Sequence, residues 1–354
     1  MLLYINAQLN LRIMKNMKPA PYQTIFLVIS IFLSCHSHAG QTFETDTITL
    51  FNNGPVVNLF AFSRPDHITS KANSSSTFRA QYELTNYISS TVKSDDVFSI
   101  DGETLSLRHS YRYQLNEQVQ LGFSIPWIRH SGGAADSFIY DFHDLLQLPQ
   151  NGRTETNENT IRWRLLHRGE SLIAIDDNLN GWGDLSITAQ LTPQSKPSAR
   201  WSFMTKLPTG RYEKQTGSER LDAGLSYSEM NPEWFAARNF LGEIDLAFWY
   251  GAGINYLGKL KQLKVLDQNP FAATFRAGFA YAPFNHWHLK TQLDSQTPLF
   301  DTEIRELGWF PIMISFASSH KLSSGNLLEL VIIEDLRPRS APDVIFQTNY
   351  QVTF

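Results

Sequence analysis

The sequence predicts an all-β fold: a single antiparallel transmembrane β-barrel of 12 to 14 strands, with a short amphipathic helix in one long extracellular loop. Three observations carry this. Segments of about ten residues alternate apolar and polar side chains from Thr77 to the end, which is how a strand looks with lipid on one face and water on the other. Mean hydropathy is −0.26 and 18% of residues are charged, which excludes a helical membrane protein. The chain then stops on an aromatic strand. Val344, Phe346, Tyr350, Val352 and Phe354 share one parity, with Thr348 the exception, against Gln347, Asn349 and Gln351 on the other. A last strand of this kind closes a barrel.

Residues 1–39 read as a secretory signal. Arg12, Lys15 and Lys18 are basic, Ile25 to Leu33 is apolar, and Ser37-His38-Ala39 is a small-x-small cleavage site. Cys35, the single cysteine, is either discarded with the signal or lipidated after cleavage before it; the first case leaves no thiol for a disulfide or metal site. Removing three basic residues and no acid takes the net charge from −4 to −7, which argues against a nucleic-acid partner. Residues 40–76 form a periplasmic lead or an N-terminal plug. Within them Val57, Leu59 and Ala61 alternate, so that Gly54 to Pro65 is a short strand or part of the plug.

Residues 77–354 are the barrel. Phe78, Ala80, Tyr82 and Leu84 oppose Arg79, Gln81, Glu83 and Thr85. Thr104 to Leu115 and Val119 to Trp127 alternate on either side of a tight turn, the pattern of a hairpin. Ile161, Trp163 and Leu165 oppose Arg162 and Arg164, and the same alternation recurs at Leu185 to Leu191, Ile244 to Ile254, Phe271 to Tyr281 and Trp287 to Leu293. Ser198 to Leu207, Leu221 to Met230, Trp309 to Ser319 and Asn326 to Asp335 complete the set. With Ser171 to Asp176 as a strand the count is fourteen; with Ile161 to Asp176 as a loop hairpin it is twelve. A soluble sandwich also alternates. Against it, Tyr113, Trp127, Trp163, Tyr281 and Trp287 sit near the ends of apolar faces, as interfacial girdles do. With Phe354 at the periplasm, the short turns are expected all on that side and the long loops all outside.

The polar faces carry Arg79, Glu83, Arg108, Arg112, Arg162, Arg164, Asp184, Lys206, Asp222, Glu243, Asp245, Arg276, Lys290, Asp294 and Glu329. Either they form a mixed-charge constriction that selects solutes, or they pair into salt bridges that hold the wall. The candidate lumen residues are Arg108, Arg112, Arg162, Arg164, Glu243, Asp245, Arg276, Lys290 and Asp294. The longest loop, Ser131 to Asn157, places Phe138, Ile139, Phe142, Leu145 and Leu146 at helical spacing, so Phe138 and Phe142 are candidates for a gate or for packing on neighbouring loops. Asp136, Asp141, His143 and Asp144 in that loop match no zinc or calcium spacing.

Several motifs resemble known families. Pro126-Trp127, Gly132-Gly133, Asp136-Ser137-Phe138-Ile139, Phe142-His143 and Leu148-Pro149 through Arg153 resemble an uncharacterised Gram-negative outer-membrane family, a domain of unknown function. Gly181-Trp182-Gly183-Asp184, Lys206-Leu207-Pro208-Thr209-Gly210, Gly217-Ser218-Glu219 and Asp222 are similar to phenol-degradation-type outer-membrane channels. The terminal strand resembles the outer-membrane assembly signal at Tyr350, Val352 and Phe354, with Asn349 where glycine is usual. These resemblances imply a Gram-negative outer-membrane location, contact with outer-membrane lipid and the barrel assembly machinery, and transport of an unidentified small solute. No catalytic residue, cofactor or metal is expected. A passive channel is the first reading. The alternatives are a structural or adhesion barrel with a blocked lumen and a lipid-modifying enzyme, for which no nucleophile motif appears.

Overall fold

The computed structural model describes residues 45–64, 66–67, 76–93, 96–146, 159–232, 246–284, 286–337 and 339–354. Residues 1–44, with the expected signal and Cys35, lie outside them, as do Glu243, Asp245 and residues 147–158.

In chain order the strands are β1 (Ser76–Lys93), β2 (Asp96–Gln114), β3 (Val119–Ser131), β4 (Arg162–His167), β5 (Glu170–Ile175), β6 (Leu179–Trp182), β7 (Leu185–Leu191), β8 (Ala199–Leu207) and β9 (Asp222–Met230). They continue as β10 (Leu246–Tyr256), β11 (Asp267–Gln268), β12 (Phe271–Phe284), β13 (Trp287–Gln296), β14 (Phe300–Asp301), β15 (Ile312–Lys321), β16 (Leu327–Asp335) and β17 (Val344–Thr353). Helices α1 (Asp136–Leu146) and α2 (Arg305–Gly308) lie in connections, and α1 matches the amphipathic helix read from the sequence.

Each wall strand pairs antiparallel with two neighbours. The ring runs β1-β17-β16-β15-β13-β12-β10-β9-β8-β7-β3-β2 and closes through β1 with β2, a barrel of 12 strands. The terminal strand closes it as expected: Thr77 pairs with Thr353 and Asn86 with Val344. The lower strand count therefore holds. β4 and β5 form a hairpin that pairs with β2 only at Val97 to Asp101, beyond the β2–β3 contact. Six residues are too short to cross a bilayer, for which roughly nine to eleven are needed.

Three other expectations are corrected. Trp163 is buried against Tyr87 and His130, with ring centroids 5.6 and 4.8 Å away, and belongs to no lipid-facing girdle; Tyr281 is buried as well. Residues 231–245 connect β9 to β10 at the end where short turns were expected. At the other end β1 and β2 meet through residues 94–95, because both strands run far beyond their neighbours, with 18 and 19 residues. Below, "base" is the end that carries Ser76 and Phe354, and "mouth" is the opposite end.

Burial is inverted relative to a water-soluble protein. Buried positions on the wall are largely polar, among them Arg79, Gln81, Glu83, Lys206, Gln292 and Glu329. Outward positions are apolar and exposed, such as Phe203 at 53%, Ile254 at 56% and Phe275 at 53%. A greasy belt of this kind is stable against lipid rather than water. An apolar cluster lies at the mouth, where Phe98, Trp163, Leu165, Leu257, Leu260 and Leu307 pack together from β2, the β4–β5 hairpin and the mouth loops.

Within the terminal strand, Tyr350 and Phe354 are exposed, Val352 is half-buried and Asn349 is buried. The Phe354 backbone N–H donates to the Ser76 carbonyl at 2.9 Å, a bond indifferent to the side chain. Phe354→Ala is therefore expected to lower insertion into the outer membrane severalfold, measured as membrane-fraction yield, while the inserted barrel melts within about 0.5 kcal/mol of wild type. Equal yields would remove the assembly role. Asn349 donates to Glu329 at 2.8 Å, so the residue standing in the glycine place has a lumenal bond of its own.

Candidate functional site

The site is the lumen, and what fills it is the lead. Residues 45–64 and 66–67 are not strand. They enter at the base, rise to a 3₁₀ turn at Val57–Leu59 that joins the apolar cluster at the mouth, and return to the base. The two ends are pinched together: Thr47 N–H donates to the His67 carbonyl at 3.0 Å, and His67 N–H to Thr47 Oγ1 at 3.1 Å. The loop thus has both ends on one side of the barrel.

Polar side chains from around the ring reach into this loop, because a buried backbone needs partners and the loop makes few of its own. On β1, Arg79 donates to Thr49 Oγ1 at 2.6 Å and to Asp46 at 3.2 Å, while Glu83 accepts from the Asn53 amide. Gln292 of β13 both accepts from Ile48 N–H and donates to its carbonyl, and Gln347 of β17 donates to the Thr49 carbonyl. Ser63 N–H donates to Asn255 of β10 at 2.6 Å. Its hydroxyl lies 2.7 Å from that of Ser226 on β9, and its carbonyl accepts from Thr274 of β12. Asp66 accepts from Arg112 of β2 at 3.0 Å and Arg276 of β12 at 3.2 Å, and its carbonyl accepts from Gln190 of β7. Ile48 and Leu50 fill an apolar patch on the inner wall, formed by Met313, Ala317, Val331, Ile333 and Ile345.

The tightest seat is at Lys206 on β8. Its buried ammonium donates to the Leu59 carbonyl at 2.7 Å and to Ser218 Oγ at 2.5 Å, and lies 2.9 Å from Asp184 and 3.0 Å from Asp222. Asp222 in turn accepts from Ala61 and Gly258 N–H, and Asp184 from Gly210 and Ser218 N–H. All the Gly-Trp-Gly-Asp, Lys-Leu-Pro-Thr-Gly and Gly-Ser-Glu motif segments meet here. A Cβ on Gly217 would stand 2.5 Å from Asp184 Oδ1, so only glycine lets the loop pass this carboxylate. The Gly132-Gly133 motif is explained similarly. Gly133 has φ +77°, and Glu103 occupies the place of its missing Cβ while accepting from Ala134 and Ala135 N–H.

Among the candidate lumen residues, Arg108, Arg112, Arg276, Lys290 and Asp294 face inward. Arg276 pairs with Asp294 at 3.1 Å and Lys290 with Glu329 at 2.7 Å. Arg108 lies over the Phe51 ring, 3.6 Å from its centroid. Arg162 and Arg164 do not line the lumen: they lie on the β4–β5 hairpin outside the ring, Arg162 exposed and Arg164 bonded to Asp176 at 2.5 Å. Their alternation is real, but the hairpin is not part of the wall. Phe138 is exposed on α1, and the side chain of Phe142 lies outside the described residues. Nothing in a polar lead marks Asp46, Ser63 and Asp66 as the residues that meet a wall distant in sequence.

Burial, and next the Arg200 guanidinium, hold His67 neutral, with its pKa lowered to about 3. Released, the imidazole titrates near its ordinary 6.5, so docking binds fewer protons than release does. The lead's seat is then at full strength above pH ~6.5 and weakens by about 1.4 kcal/mol per unit as pH falls from there towards 3. Hydrogen exchange of Thr47 and His67 amides is expected to accelerate between pH 7 and 5, after correction for intrinsic rates, and to lose that dependence in His67→Gln. The same slope in both proteins would exclude His67 as its source.

A model for a family described as a protein of unknown function (DUF3187) matches residues 24–354. No curated protein matches. Among solved structures, the COG4313 outer membrane channel from Pseudomonas putida F1 superposes with TM-score 0.51 at 13% identity, over 81% of this chain and 100% of that one, a likeness of fold. The CymD monoaromatic hydrocarbon channel (TM-score 0.40, 8% identity, 79% and 89% covered) and the Pseudomonas putida toluene transporter TodX (0.37, 9%, 79% and 88%) also match.

Proposed function

The chain belongs to the DUF3187 family, and from that premise we propose that it is a passive channel for small solutes in the outer membrane of a Gram-negative bacterium, with residues 45–67 as its gate. The observation that carries this is the path of the lead: a pinched loop inside the ring, both ends at the base, held by side-chain bonds and not by strand pairing. Such a loop can leave the lumen without threading the wall or breaking the sheet. With the base at the periplasm, it withdraws into the periplasm.

Cysteines at Ser63 and Ser226, whose hydroxyls are 2.7 Å apart, test it in a Cys35→Ser background. In planar bilayers the reduced protein is expected to show openings and the oxidised protein none, with recovery on reduction. Identical traces in both states would end the lead-gate reading. A second reading, a structural barrel with a blocked lumen, is favoured by the number of strands that hold the lead and by the apolar cluster over the mouth; it predicts a flat trace in both states.

A further inference from the structure

We propose that a cavity beside the lead binds a small organic carboxylate, held by the guanidinium of Arg108 with Arg112 beside it. This goes beyond the channel reading and does not depend on conduction. The cavity has a volume of about 120 Å³ and lies between the lead and the inner faces of β1, β2, β3, β7 and β8. That is well above the roughly 10–15 Å³ that one water needs.

Its charges are unevenly answered. Arg108 is 8% exposed, and among the described residues no carboxylate lies within ion-pair distance of it; its one close partner is the Phe51 ring. The nearby acid, Glu83, has its oxygens engaged by Asn53, Thr85 and Gln81. Arg64 of the lead also lines the cavity and gives its donors to the Leu50 carbonyl and Gln296, not to a carboxylate. Arg112 bonds Asp66 through Nη2, but its buried Nη1 has no acceptor among the described residues. The carboxylates that line the same space are committed away from Arg108, Asp66 to Arg112 and Arg276, and Asp184 to Lys206.

A buried guanidinium with no carboxylate in direct contact, Glu83 being near but unpaired with it, is costly, and the cost falls when an anion enters. Arg108 and Arg112 share one face of β2 with Ser110 between them, so an anion there meets two forks and a hydroxyl. Phe60, Phe62 and Met204 line the rest of the space, which suits an apolar body behind a carboxylate head. The lead itself presents this chemistry, with a carboxylate on Arg112 and an aromatic ring on Arg108.

The test is titration calorimetry of the refolded full barrel in detergent, its fold checked by circular dichroism. Benzoate is the probe, acetate the smaller acid and benzyl alcohol the neutral analogue. Benzoate is expected to bind, acetate more weakly, and benzyl alcohol not measurably. Arg108→Gln is expected to weaken benzoate by about tenfold or more, and so is Ser110→Asp, which supplies an internal counter-charge. Failure of benzoate to bind, equal binding of benzyl alcohol, or wild-type affinity in a folded variant overturns the proposal. Should neither variant fold, the benzoate and benzyl alcohol comparison on the wild type decides. Because binding is measured without a bilayer, a flat conductance trace leaves it standing.

Discussion

A barrel lacking residues 45–67 stays open where the intact one opens only intermittently; this is the largest expected effect. The ring's hydrogen bonds run from β1 to β17 and back without using the lead, so excision leaves the sheet intact. What it removes is the material that fills the lumen. Eight-stranded barrels are filled by their own side chains, whereas sixteen strands leave an aqueous channel, so a ring of twelve lies between these and needs a filler to be closed. Arg79 and Arg112 lose Asp46 and Asp66 on excision, but they gain water, which is why no large loss of barrel stability is expected. Val56, Val57, Leu59 and Phe60 also leave the cluster at the mouth, opening it from below. Single-channel recording should show a sustained open level in the excised form where the intact form opens only in separate events. A flat trace in the excised form would mean that the mouth loops close the barrel by themselves, and the lead would then be a scaffold rather than a gate.

How much of this was legible depended on the range over which each signal acts. Alternation is local, with period two, so the faces of β1, β2, β8 and β17 could be read directly, as could closure at Phe354. The same signal misplaced Arg162 and Arg164, since a six-residue hairpin alternates as well as a wall strand does; length was the better discriminator there. Trp163 looked like a girdle residue because an aromatic at a strand end reads alike under lipid and under a loop. The fold of the lead was not legible. Ile48 and Leu50 alternate with threonines like a strand, and only the distant patch at Met313, Val331 and Ile345 makes them plug residues. Motifs 181–184, 206–210 and 217–222 could be recognised as a group, but their shared purpose could not, since Lys206 meets Asp184, Asp222 and Leu59 only in the closed ring.

That convergence makes Lys206→Met the most damaging single substitution expected in the wall. Methionine keeps the length and the apolar stem but deletes the charge. Asp184 and Asp222 are then left buried on neighbouring segments with no cation between them, and breaking a buried ion pair from one side costs about 3–5 kcal/mol. The Leu59 carbonyl loses its donor too, so the lead should loosen before the wall unfolds. Two measurements separate these effects. Urea unfolding of the refolded barrel reports the wall. Labelling of a cysteine at Ser63, in the Cys35→Ser background, reports the lead, and is expected to rise from protected to accessible while the sheet remains folded. Adding Asp184→Asn and Asp222→Asn should recover most of the wall's stability, because the uncompensated charges are then gone, but should not reseat the lead, whose carbonyl still lacks a cation. If the triple variant restores protection at Ser63, Lys206 acts only through the two carboxylates. If Lys206→Met leaves both readouts at wild-type values, the seat lies elsewhere, and the bonds to Ser63 and Asp66 are where the lead is held.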